Sequence, residues 1–190
     1  MNLLVDRIPS PIGAILLVTD GEALRALYFD DYEERMHLQL RRHYGVYKLT
    51  SGRTPATIGD EIRAYFDGDL AAITRVPVET GGTAFQRKVW TALREIPAGT
   101  TLTYGELAAA IGTPKASRAV GLANGSNPAG IVVPCHRVIG ANGTLTGYGG
   151  GMERKRWLLT HEGVRLTDRP AQLTLPGAQN SIEASTSEGC

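Results

Sequence analysis

Ten consecutive residues, Ile131 to Gly140, constrain this chain more than any other stretch. An apolar run of strand type, Ile131-Val132-Val133, carries the chain to Pro134. It then delivers Cys135 and His136 side by side and turns apolar again at Val138-Ile139. A thiol is a nucleophile only as thiolate, and an imidazole within reach is the commonest means of lowering its pKa toward neutrality. The competing reading is a buried structural cysteine beside a partly exposed histidine. In an extended strand, adjacent side chains point to opposite faces. His136 can then act on the sulfur only through a water, or the chain must turn after Pro134.

A chain of 190 residues buries a real core, as one large domain or two small ones. Its two cysteines, Cys135 and Cys190, make no disulfide framework, and no basic-then-apolar leader or apolar run of membrane length appears. A soluble protein of the reducing cytoplasm is expected. Charge is unevenly spread: nine basic residues stand against twelve acidic over residues 1–80, and seven against two over residues 114–165. The second half is the one suited to a polyanion.

Leu3 to Ile8, Ala14 to Val18 and Ala23 to Phe29 read as three strands of an antiparallel meander, separated by Pro9-Ser10-Pro11-Ile12-Gly13 and Asp20-Gly21. Helices follow over Tyr32 to Tyr44 and Ile58 to Phe66. On the first, Glu33, Glu34, Arg35, Arg41 and Arg42 read as surface charge, with His37 and His43 beside them. This half, residues 1–80, is expected to be a small α/β support domain with no chemistry of its own. Gly81-Gly82-Thr83 reads as a hinge and helix start, Thr83 capping and Gln86 closing the box, with Phe85, Val89, Trp90 and Leu93 as the buried stripe.

A helix–turn–helix pattern comes next. Thr103 caps Tyr104 to Ile111, Gly112-Thr113-Pro114 turns, and a second helix runs from Lys115 to Asn124. That second helix carries Arg118 near its start and is otherwise lined with small residues: Ala116, Ser117, Ala119, Gly121, Ala123 and Gly125. A glycine inside a helix costs roughly 1 kcal/mol relative to alanine, so Gly121 needs a reason. A shaved helix can press its backbone against the narrow minor groove, whereas a major-groove reader carries long polar side chains. Asn127, before Pro128, is placed to tie the end of this helix to the cysteine segment. Tyr148-Gly149-Gly150-Gly151 can wall a pocket. A basic helix from Glu153 to His161 ends at Glu162, a carboxylate placed against the helix dipole and therefore in want of a partner such as an imidazole N–H. Residues 166–190 read as a disordered tail.

Several of these segments together resemble the O6-alkylguanine-DNA alkyltransferases: Tyr104-Gly105-Glu106-Leu107-Ala108, Arg118-Ala119-Val120-Gly121, Asn124-Gly125-Ser126-Asn127-Pro128, Pro134-Cys135-His136-Arg137-Val138, Gly147-Tyr148-Gly149-Gly150, and Trp157-Leu158-Leu159 through His161-Glu162-Gly163. The likeness covers about residues 83–164 and is closest to the stand-alone bacterial form. It implies a small N-terminal α/β domain (antiparallel sheet with helices), then a mostly helical winged-helix-like domain over residues 81–165. It implies a monomer that binds double-stranded DNA containing O6-alkylguanine through the minor groove, with no membrane, cofactor or metal.

The resemblance also implies roles. Cys135 is the alkyl acceptor, His136 its base through a water, and Glu162 holds His136. Tyr104 donates to the departing guanine. Backbone groups of Cys135, Val138 and Gly149 read the base, with Tyr148 in the same pocket. Arg118 replaces the extruded nucleotide, and Asn127 braces the helix–turn–helix. Thr103, Lys115, Ser117, Ala119 and Gly121 complete the DNA surface. Two other readings remain: a Cys–His–Glu hydrolase or acyltransferase on a small substrate, which would turn over repeatedly without DNA, and a lesion-binding module without chemistry, which would lack the reactive cysteine.

Overall fold

The structure is a computed structural model, and it describes residues 1–165; the tail expected at 166–190 lies outside the described residues. The amino-terminal half is built on a four-stranded sheet in the order β3-β2-β1-β4. Strands β1 (Asn2–Ile8), β2 (Ile15–Thr19) and β3 (Leu24–Phe29) form the expected antiparallel meander. The sequence reading missed β4 (Lys48–Ser51), which runs parallel to β1. Four residues, three of them exposed, carry too little apolar patterning to be read as a strand.

Strand β2 is buried along its whole length, because both faces of the sheet are covered. By the two-residue alternation of a strand, Ile15 and Leu17 face one core, while Leu16 and Val18 face the other. The second, smaller core is closed by Met36 and Leu40 of α1 (Glu33–Tyr44). The larger one takes Ile58, Ile62 and Tyr65 from α2 (Ala56–Phe66), and Ala72 and Ile73 from the short α3 (Ala72–Arg75). It continues without interruption into the carboxy-terminal half, through Val89, Trp90 and Leu93 of α4 (Ala84–Arg94) and on to Cys135.

Helix α4 begins with the expected capping box between Thr83 and Gln86. A two-residue strand β5 (Leu102–Thr103) leads into α5 (Tyr104–Ala110), which Thr103 and Glu106 cap in the same reciprocal way. Helix α6 (Ser117–Gly125) completes the helix–turn–helix. It starts two residues later than expected, leaving Lys115 in the turn. Helix α7 (Met152–His161) closes the described chain.

The strand expected at Ile131-Val132-Val133 does not form. Ile131 adopts φ 71°, which turns the chain in a left-handed conformation costly for a β-branched residue. Tight turns follow, with Val132 N–H donating to Gly130 O and Cys135 N–H to Val133 O, both at 2.8 Å. Cys135–Arg137 is then a 3-10 turn, and only Val138–Ile139 is strand, β6, paired in parallel with β5. The run is apolar because it threads the core, with all three residues at most 1% exposed. A short apolar run cannot by itself distinguish the two arrangements.

Candidate active site

The 3-10 turn answers the question left by the adjacency of Cys135 and His136. It places both side chains inside the protein, Cys135 at 7% and His136 at 0% exposure. His136 directs Nε2 at Glu162 Oε1, 2.9 Å away. Its Nδ1 is buried and has no protein partner. That nitrogen is the one free to take a proton.

Glu162 has more partners than the single imidazole expected of it. Arg137 Nε donates to Oε2 and Arg137 Nη2 to Oε1, each at 2.8 Å, and Tyr65 Oη donates to Oε1 at 2.8 Å. Burial alone would raise the carboxyl pKa, but the His136 and Arg137 hydrogen bonds hold it well below the usual range. The triad is therefore a pentad reaching into the amino-terminal half through Tyr65 of α2. Neither Arg137 nor Tyr65 is among the residues expected at the site: the first counts only toward the basic charge of the second half, and the second lies within the expected helix Ile58 to Phe66.

The thiol is not anionic in this resting arrangement. Burial pushes the Cys135 pKa up, against the opposing effects of the Asn127 amide and the Lys155 ammonium. Burial likewise keeps His136 neutral, its pKa pulled down from 6.5 despite Glu162. Both shifts favour the uncharged forms of the thiol and the imidazole. Asn127 donates through Nδ2 to Val133 O at 2.7 Å and accepts at Oδ1 from Ala129 N–H at 3.0 Å. It ties the end of α6 to the cysteine turn, as its place before Pro128 suggested.

Two cavities touch Cys135. The outer one is lined by Tyr104, Gly121, Asn124, Gly125, Gly147, Tyr148, Gly149 and Arg35. It brings together Cys135, Tyr104, Gly121, Tyr148 and Gly149 from the expected site. Val138 is fully buried and lines neither cavity. Its carbonyl accepts from Lys155 Nζ at 2.6 Å, a bond that Thr146 O shares at the same length. Lys155 was read only as part of a basic helix, yet it is wholly buried, its pKa lowered by burial to about 8. Its position one turn before Leu158 and Leu159, on their face of the helix, was the available signal. Arg35, read as surface charge, donates to Gly125 O at 2.6 Å. His43 packs half-buried against Trp90, and His37 Nδ1 lies 2.6 Å from the Tyr47 hydroxyl, so neither is simple decoration.

Lys115, Ser117, Arg118 and Ala119 are all exposed along one end of α6, with Thr103 and Gly121 half-buried beside them. The glycine at position 121 is not forced by the protein: a Cβ there would sit 3.7 Å from the Tyr104 ring, an ordinary contact. Among the described residues no cluster of three or more His, Cys, Asp or Glu side chains is placed to hold a metal ion, and no helix is long and apolar enough to cross a membrane.

Residues 4–80 match the family description "6-O-methylguanine DNA methyltransferase, ribonuclease-like domain", and residues 84–164 match "6-O-methylguanine DNA methyltransferase, DNA binding domain". A methylated-DNA–protein-cysteine methyltransferase of Shigella flexneri is 50% identical over 169 residues, covering 87% of this chain and 99% of the relative. The crystal structure of Mycobacterium tuberculosis O6-methylguanine methyltransferase superposes with a TM-score of 0.70 at 42% identity, covering 90% of this chain and 98% of that one. A structure of M. tuberculosis OGT in complex with DNA gives the same TM-score at 43% identity, over 84% and 92% of the two chains. Matched along both halves in sequence and in fold, the chain belongs to the 6-O-methylguanine DNA methyltransferase family.

Proposed function

We propose that this is a cytoplasmic, direct-reversal DNA repair protein. It turns O6-alkylguanine, and O4-alkylthymine, out of the duplex and transfers the alkyl group once to Cys135. The observation that carries this reading is the buried sulfur beside the Asn127 amide, on a cavity that Gly121, Asn124 and Gly125 of the shaved helix α6 line. A guanine O6 inside a stacked duplex cannot meet such a sulfur in line, so the nucleotide must leave the stack. The few kcal/mol this costs are lowest where alkylation has already damaged pairing. Arg118, exposed near the start of α6, fills the space left behind, and Lys115, Ser117, Ala119 and Thr103 hold the backbone.

In the transfer, the Cys135 proton passes through a bridging water to His136 Nδ1 as sulfur bonds the α-carbon of the alkyl group. The carbon–O6 bond breaks with its electron pair going to O6. Tyr104 protonates the departing guanine and recovers a proton that traces back to the thiol, so guanine gains the hydrogen that sulfur lost. Glu162 fixes the imidazole and offsets its charge. The thioether is a poor leaving group, so the protein reacts once; repeated hydrolysis of a small substrate finds no support in the site. Intact-mass spectrometry after incubation with an O6-methylguanine duplex tests this. One methylene's mass should appear on wild type and none on Cys135→Ala, while that variant still binds the DNA. Multiple turnover, or alkylation of the variant, would overturn it.

A further inference from the structure

The second, inner cavity at Cys135 shares Asn124 and Gly125, at the end of α6, with the outer one and reaches from there to β3. Leu27, Tyr28 and Phe29 of β3 bound it on one side, Gly130 and Tyr148 on the other. Its volume is about 40 Å³, room for about two or three water-sized groups and far too little for a base. Its lining is more polar than a slot for a methyl group requires. Tyr28 and Asn124 both line it at 7% and 5% exposure, and the Tyr28 hydroxyl and Asn124 Oδ1 are buried without a hydrogen-bond partner. Buried polar atoms without partners are rare in folded proteins and each one costs stability. The Arg35 guanidinium, tethered to Gly125 O, reaches the same space.

In-line transfer fixes only the α-carbon of the alkyl group between O6 and sulfur. Everything beyond that carbon must project to one side. With the base in the outer cavity, the inner one is the space left for it. We propose that the inner cavity is a subsite for the alkyl substituent, and that it selects short groups ending in a hydrogen-bonding atom over apolar groups of equal length. A terminal hydroxyl can accept from Tyr28 and donate to Asn124 Oδ1; a terminal carboxylate can accept from Tyr28 and Arg35. The covalent step is unchanged: sulfur bonds the α-carbon, the carbon–O6 bond breaks toward O6, and the polar end keeps its own atoms.

This inference rests on the alkyl-transfer reading above, and the test separates the two. Duplexes carrying O6-methyl-, O6-propyl- and O6-(2-hydroxyethyl)guanine are given to the whole protein, and single-turnover rates are followed by intact mass. Propyl and 2-hydroxyethyl differ only in a terminal methyl against a hydroxyl. Wild type should take the hydroxyethyl group about tenfold faster than propyl. Tyr28→Phe and Asn124→Leu should each bring that ratio toward one, and because both rates come from one sample, loss of folded protein cancels. A wild-type ratio of one or below, a ratio that both variants preserve, or transfer of methyl alone would overturn the subsite. Failure to transfer even the methyl group would instead remove the alkyl-transfer reading itself.

Discussion

Glu162 carries the strongest residue-scale expectations. It is a fully buried carboxylate side chain held by a guanidinium, an imidazole and a phenol. Removing its charge leaves Arg137 buried without a counter-ion, and breaking such a pair typically costs about 3–5 kcal/mol. Glu162→Gln should therefore lose about that much stability by urea denaturation, as well as transfer activity. The sign of the pH dependence follows from the depressed carboxyl. The stabilisation is present above the ordinary value of 4.5 and is lost as pH falls below it toward the lower folded-state value. The urea midpoint of wild type should fall in that acid range, and Glu162→Gln should show a shallower fall. Part of this was legible in the sequence, because a carboxylate at a helix C-terminus asks for a partner. Arg137 and Tyr65 were not, since nothing in the order of residues says that one cation is turned inward or that α2 reaches the site.

At the scale of the element, the proposed function sets α6 against DNA. A Cβ at Gly121 would meet only the Tyr104 ring at ordinary distance, so Gly121→Ala should stabilise the fold by about 0.5–1 kcal/mol. Repair of a duplex should nevertheless slow, because the added methyl stands in the outer cavity and on the DNA face. A thermal melt and a duplex assay on one preparation would show the opposed effects; parallel gains in both would mean the glycine has no role at the interface. Arg118→Ala should lower the duplex rate by about tenfold or more while leaving reaction with free O6-benzylguanine within about twofold, since only the duplex reaction requires a nucleotide to leave the stack. The helices were legible because caps and apolar spacing are local: Thr83 with Gln86, and Thr103 followed by Leu107 and Ala108. The cysteine segment was not. Its turn depends on a left-handed Ile131 imposed by the surrounding core, a tertiary demand that no local pattern encodes.

For the whole molecule, the two halves share one core and one hydrogen-bond network. One core runs from β1 to α7 through both halves, and the amino-terminal half supplies Tyr65 to Glu162 and Arg35 to the cavities. Tyr65→Phe removes one hydroxyl and keeps the ring, so the contacts with Phe66 and His161 remain. A hydrogen bond to a charged group contributes about 1.5–3 kcal/mol, and the urea midpoint should drop accordingly. The rate with free O6-benzylguanine should drop with it, which a purely supporting half would not predict.

The phenol bridging α2 to the carboxylate has a practical consequence for anyone surveying inactive variants. Any substitution that tilts or loosens α2, even at a position facing away from the nucleic acid, can disable the sulfur from behind. Loss-of-activity alleles should then scatter over the back of the molecule, in places where inspection of the lesion pocket alone would give no warning.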